Sequence, residues 1–116
     1  MGRFVFEGGR LMHEPYKNHW EAGRYACAKC GAALFESEAK FNSGTAWPSF
    51  RACVPESINE TPDDSHGMSR TEILCKKCGL HLGHVFNDGQ WCGDTHPDAN
   101  LRYCVLSEAL TFKPEL

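Results

Sequence analysis

Three features of this sequence predict a small, mainly antiparallel β fold: short runs in which apolar and polar residues alternate, polar turn-rich stretches between them, and weak helical periodicity throughout. In the first half, residues 24–27 and 33–35 are strand candidates, with a third around 46–50. Residues 71–75, 81–86 and 102–106 alternate more clearly, and 110–113 close the series. Residues 59–67 and 87–100, rich in Asp, Gly and Pro, are expected to be excursions between strands. A short helix is expected near residues 14–20.

At 116 residues and 41% hydrophobic content, the chain is expected to form one domain, 1–116. A domain of this length buries only about two-thirds of its unfolded surface, so a cross-link or a structural metal would help it. The net charge is −3 and the basic residues are scattered, which leaves no footprint for nucleic acid or an anionic membrane. The first nine residues hold no apolar core of signal-peptide length, and Phe6 stands where a myristoylation motif needs Ser or Thr. No stretch approaches the ~20 apolar residues of a membrane span. The expectation is a soluble, cytoplasmic monomer.

Seven cysteines are many for this length, and the number is odd. Four of them form two near-identical turns, Cys27-Ala28-Lys29-Cys30-Gly31 and Cys75-Lys76-Lys77-Cys78-Gly79. Two residues between cysteines let both thiolates of a tight turn face one ion, and two such turns supply the tetrahedral sulfur set of structural Zn²⁺. The following glycine suits a positive φ. Disulfides, or one redox-active pair, are the other readings of this spacing, but a redox pair needs only one such turn. The 44 residues between the pairs exceed a zinc-ribbon gap, so the metal would join distant parts of the chain. Zinc bound this way contributes on the order of 10 kcal/mol to folding.

Cys53, Cys92 and Cys104 remain. On a strand through residues 102–106, Arg102 and Cys104 share a face, and a guanidinium there favours the thiolate. The same pair also fits a buried cysteine beside a surface arginine. In His81-Leu82-Gly83-His84, residues three apart would face opposite sides of a regular strand, whereas a β-bulge at Gly83 would bring both imidazoles to one face. Imidazole is the natural proton donor near neutral pH; a second metal site or two surface histidines are the alternatives. The aromatic segment around Trp47-Pro48-Ser49-Phe50 either walls a small apolar pocket or is core.

Taken together, these elements resemble the methionine sulfoxide reductases of the B type, which reduce the R epimer of methionine sulfoxide. The resemblance is carried by Cys27-x-x-Cys30, Leu34-Phe35-Glu36-Ser37, Lys40-Phe41-Asn42-Ser43-Gly44 and Trp47-Pro48-Ser49-Phe50. It continues through Arg70-Thr71-Glu72, Cys75-x-x-Cys78, His81 to Phe86, Asp88-Gly89 and Arg102-Tyr103-Cys104, spanning about residues 16–113. It implies two twisted antiparallel sheets with the site on one exposed face, and a structural four-cysteine zinc. Cys104 would attack the sulfoxide sulfur and become a sulfenic acid, and Arg102 would stabilise its thiolate. His81 and His84, with Asp88, would organise water and protonate the oxygen. Trp47, with Phe50 beside it, would contact the substrate. Thioredoxin or a similar thiol donor would restore the enzyme.

The chain departs from the family pattern at three places. Thr45 stands where many members carry the resolving cysteine, Gln90 replaces a common Pro in a longer loop, and Leu106 stands where many have Asn. Cys92, twelve residues before Cys104 in that loop, is the favoured substitute; Cys53 and an external thiol are the others.

Overall fold

The computed structural model describes residues 3–5 and 11–115, so most of the N-terminal run considered above for signal and lipidation motifs lies outside the described residues. The first half of the chain forms β1 (Arg3–Val5), β2 (Leu11–His13), β3 (Gly23–Cys27), β4 (Ala33–Glu36), β5 (Lys40–Phe41) and β6 (Ser49–Phe50). The second half adds β7 (Ile58–Asp63), β8 (Arg70–Cys75), β9 (His81–Phe86), β10 (Arg102–Val105) and β11 (Leu110–Pro114). A six-stranded antiparallel sheet runs β5-β6-β10-β9-β8-β7, and a three-stranded one runs β11-β3-β4. The pair β1 and β2 forms a separate ribbon. The expected mainly β, two-sheet architecture is thus present, with that ribbon added.

The core lies between the two main sheets. Tyr25, Leu34 and Phe35 from the smaller sheet meet Phe50, Ile73, Tyr103 and Val105 from the larger one, all buried. Phe35 stacks on Phe50 with ring centres 4.4 Å apart and planes 15° apart, and Tyr25 meets Phe50 edge-on at 5.2 Å. Such ring pairs add about 0.5–1.5 kcal/mol each beyond the area they bury.

Three expectations need correction. Residues 59–67 are not simply a loop, because β7 takes 58–63 and pairs with β8 along its whole length. It is polar and carries Pro62, yet it lies at the sheet edge, where one side of the backbone needs no partner and a missing N–H is tolerated. Residues 14–20 form turns rather than a helix. Tertiary bonds hold them: the Glu14 carboxylate accepts the Ser107 N–H at 2.9 Å, and the Tyr16 hydroxyl oxygen accepts the Phe112 N–H at 3.2 Å. Of the stretch 46–50, only Ser49–Phe50 is strand. Three-residue 3₁₀ turns are the only helical pieces among the described residues.

The expected bulge is present in β9. Ile73 pairs with Gly83 but Leu74 pairs with His81, so Leu82 is the extra residue. Both imidazoles consequently reach one face, with ring centres 5.7 Å apart. On its other side β9 pairs with β10, placing Cys104 opposite His84 and Val105 opposite Gly83. A Cβ at residue 83 would collide with the carbonyl oxygen of Cys104. Gly83→Ala is therefore expected to separate β9 from β10, costing about 2 kcal/mol or more. Urea unfolding should register this as a lowered midpoint.

Candidate active site

Strand register assembles the site. Glu72 of β8, His84 of β9, Cys104 of β10 and Ser49 of β6 are successive cross-strand partners. Two residues further along, Arg102 pairs with Phe86, and Arg70, one residue before the Thr71–Val85 pair, falls in the same row. Tyr103 and Val105 alternate to the other face and join the core. From these rows His84, Cys104, Phe86, Arg102 and Arg70 line a cleft of about 370 Å³ that also includes Thr45, Trp47 and His81.

Arg102 is buried and doubly bound to Asp88, through Nε–Oδ1 at 2.8 Å and Nη2–Oδ2 at 3.1 Å. Its guanidinium carbon stands 4.5 Å from the centre of the Phe86 ring. The expected electrostatics at Cys104 hold only in part. Burial pushes the Cys104 thiol above its ordinary value, and the charge and hydrogen bond of Arg102 pull it back without prevailing. The negative charges of Glu14 and Asp88 add to the upward shift.

Each histidine is held by a carboxylate. His81 Nδ1 lies 2.6 Å from Glu72 Oε2, and His84 Nε2 lies 2.7 Å from Asp63 Oδ2. A carboxylate only accepts, so those ring nitrogens carry the protons and the opposite nitrogens are left for other partners. The bond from His84 leads the contacts that hold the Asp63 carboxyl below its usual range, with Ser65 next. Glu72 and Asp63 were missed as site residues by sequence reasoning. The alternation Arg70, Glu72 on β8 offered a signal for the first; the second sits in the stretch read as an excursion.

The other candidates separate cleanly. Trp47 lines the cleft. Phe50 does not: it is fully buried between Phe35 and Tyr25, because alternation sends Ser49, not Phe50, to the face of Cys104. Asp88 grips Arg102 and is not part of the cleft wall. Cys53 packs toward the core, its sulfur 3.8 Å from the Tyr103 hydroxyl, across the sheet from Cys104. Cys92 lies nearer the Asp88–Arg102 pair, and its thiol is a minor contributor to holding the Asp88 carboxyl below its usual range.

The four remaining thiols form a second cluster, with all sulfurs within 4.8 Å of one another. Cys27–Cys78 and Cys30–Cys75 are each 3.6 Å apart, far beyond the ~2.05 Å of a disulfide. A tetrahedral ion about 2.3 Å from each sulfur needs sulfur–sulfur edges of about 3.8 Å, so the cluster can hold a metal ion. The turns match bond for bond: Gly31 and Gly79 have φ of 81° and 80°, and each donates its N–H at 2.8 Å to the carbonyl of the first cysteine. Burial opposes ionisation of Cys27, but N–H groups of Cys30 and Lys29 bring it down to about 7.

A half-buried thiol beside a guanidinium, facing two carboxylate-held imidazoles across a small cleft, defines the class: a thiol-based oxidoreductase. Comparison with known proteins narrows it. Residues 7–114 match the SelR domain family. Relatives named peptide methionine sulfoxide reductase MsrB include one from Thiobacillus denitrificans, 50% identical over 107 residues, covering 91% of this chain and 76% of that protein. One from Bradyrhizobium diazoefficiens is 54% identical over 107 residues, with shares of 91% and 73%, and one from Leptospira interrogans is 52% identical over 101 residues, with shares of 86% and 72%. The chain belongs to this family, the methionine sulfoxide reductases of the B type.

Only the thiolate alkylates, so the raised Cys104 value has a measurable sign. The iodoacetamide rate at Cys104 should reach half its maximum above the ordinary thiol pKa of about 8.5. Arg102→Met, which removes the opposing positive charge, should move that midpoint further upward. Peptide mass spectrometry across a pH series reads both.

Proposed function

We propose that this chain acts as one domain that reduces methionine-R-sulfoxide in peptides or proteins to methionine, with Cys104 as the nucleophile. The observation that carries the reading is the register that sets Cys104 opposite His84 and beside Arg102 in one cleft. The Cys104 sulfur attacks the sulfoxide sulfur while the oxygen takes a proton. The S–O bond breaks as the oxygen passes to the Cys104 sulfur, the transient sulfur–sulfur bond opens as methionine leaves, and Cys104 becomes a sulfenic acid. A sulfoxide oxygen leaves poorly until protonated, so a donor must stand close to the thiol; His84, the cross-strand neighbour of Cys104, and His81 beside it support that role. Glu72 and Asp63 orient those rings. Arg102, positioned by Asp88, stabilises the thiolate as it forms, and Trp47 packs on the methyl group.

The sulfenic acid then condenses with the Cys92 thiol, releasing water and leaving a disulfide that a thioredoxin-type dithiol reduces. Two observations support Cys92 over Cys53: it is near enough to Asp88 to help hold that carboxyl below its usual range, and Cys53 faces the core. The metal of the four-cysteine cluster is zinc, with a structural role, since four thiolates leave no open position for chemistry. The protein works as a monomer in the cytoplasm; among the described residues no helix is long and apolar enough to cross a membrane.

With dithiothreitol and an R-sulfoxide peptide, the wild type should reduce the R epimer selectively, and Cys104→Ser should keep zinc and fold but lose turnover. His84→Gln should lower kcat/KM by about a hundredfold or more. After one turnover without reductant, mass spectrometry should find a 92–104 disulfide; a persistent sulfenic acid at Cys104 would assign resolution to an external thiol. Elemental analysis should give one zinc per chain, and its removal by a chelator should lower Tm sharply.

A further inference from the structure

Of the arginines that carry ion pairs around the site, two are fully committed to a carboxylate. Arg102 holds Asp88 through two bonds, and Arg51 holds Asp94 through Nη2–Oδ1 at 2.8 Å and Nε–Oδ2 at 3.1 Å. Arg70 is different. Its nearest contacts, Nη2 to Asp63 Oδ2 at 3.5 Å and to Ser65 Oγ at 3.4 Å, lie well outside the 2.7–2.9 Å typical of charge-assisted bonds. Its Nε is sealed from solvent and has no acceptor, the one such side-chain atom among the described residues. Asp63 is meanwhile engaged at 2.7 Å by His84. The Arg70 side chain as a whole keeps 23% exposure and lines the cleft, so its loosely held Nη groups are placed for an acceptor that the protein itself does not supply.

We propose that Arg70 binds the main-chain carbonyl oxygen of the sulfoxide-bearing residue, so that the enzyme recognises its substrate's backbone as well as its side chain. This rests on the reading of Cys104 as the nucleophile. The distances agree with it. Arg70 is on β8 and Cys104 on β10, with β9 between them and a two-residue offset along the strands, so about 12 Å of sheet separates the two. With the sulfoxide sulfur over Cys104, two methylenes and the α-carbon carry the substrate's carbonyl toward β8. The three-carbon stem of Arg70 covers the remainder. Phe86, in the same row and between the two arginines, provides an apolar floor for the substrate's methylenes. Arg70 touches no reacting atom and is a positioning and specificity residue.

The test compares two substrates, with free methionine-R-sulfoxide, which carries a carboxylate, as a third. N-acetyl-methionine-R-sulfoxide methylamide carries the carbonyl; ethyl methyl sulfoxide keeps only the side-chain fragment. Arg70→Met should lower kcat/KM for the first by about tenfold or more, mostly through KM, the size expected for a lost hydrogen bond to a charged donor. For the second the change should stay below about twofold, and Arg70→Lys should restore part of the loss on the first. An equal loss on both substrates would overturn the proposal, because it would mean that Arg70 acts through Asp63 and His84 or on the sulfoxide oxygen. No loss on either would overturn it too, as would a loss seen only with free methionine sulfoxide, whose carboxylate would then be the true partner. Failure of the wild type on the blocked R-sulfoxide would instead strike at the reductase reading itself.

Discussion

The site depends on how the β8–β9 hairpin is closed. Cys75 ends β8, Cys78 completes the turn, and His81 begins β9 only three residues later. Backbone bonds from Cys75 N–H to the Leu80 carbonyl and from Gly79 N–H to the Cys75 carbonyl shape that turn, and the four-sulfur cluster fixes it to the matching turn after β3. Because Cys27 belongs to the three-stranded sheet and Cys75 to the six-stranded one, an ion held by the cluster would join the two layers at one end of the core. A small domain has few other ways to hold two short sheets in register. The metal would take no part in the chemistry, yet the position of His81 follows from the turn it stabilises.

Down the hairpin from that turn, the bulge at Leu82 does the remaining work. In an unbroken strand His81 and His84 would point to opposite faces; one extra residue reverses the parity between them. Leu82 enters the core, and Gly83, with no side chain, lets β10 approach closely enough for Cys104 to sit opposite His84. The carboxylates of Glu72 and Asp63 then keep the rings from rotating away. A thiol whose burial favours the neutral form and a guanidinium that favours the charged one meet on one face of β10, so the proposed nucleophile would be protected at rest and supported when it ionises.

Most of this was legible in the sequence wherever a short spacing controls geometry. The metal cluster follows from two Cys-x-x-Cys-Gly turns, the shared face of Arg102 and Cys104 from period-two alternation, and the bulge from a glycine between two histidines. What the sequence hid was set by partners far along the chain. Phe50 sits in an aromatic motif, but the strand's parity gives the cleft to Ser49 and the core to Phe50. Asp63 lies in a polar stretch with a proline, and only its pairing with Arg70 at a sheet edge brings it to His84. The effect of Arg102 on Cys104 had the right sign, but local sequence cannot show how deeply a thiol is buried or that Glu14 is near it.

The threonine at position 45 shows how the loss of one thiol is accommodated. Ser49 donates to Ser43 at 2.9 Å, the Ser43 and Thr45 hydroxyls meet at 2.8 Å, and Thr45 donates to the Trp47 carbonyl at 3.2 Å. This hydroxyl chain fastens the Trp47 segment to the strand that pairs with Cys104, which a cysteine at 45, a weak donor and acceptor, would do poorly. With no thiol at position 45, the proposed resolution of Cys104 falls to Cys92 or to an external donor. The loop carrying Cys92 is held at its base by the buried Arg51–Asp94 pair and by Gly93, where a side chain would press on the Asn42 carbonyl. It is thereby docked against the stretch that leads into the Ser43–Thr45 network, with its thiol beside Asp88. The hydroxyl network that braces the Trp47 segment and the loop that carries Cys92 are therefore joined through the close approach of Gly93 to Asn42, so a change in either is transmitted to the other.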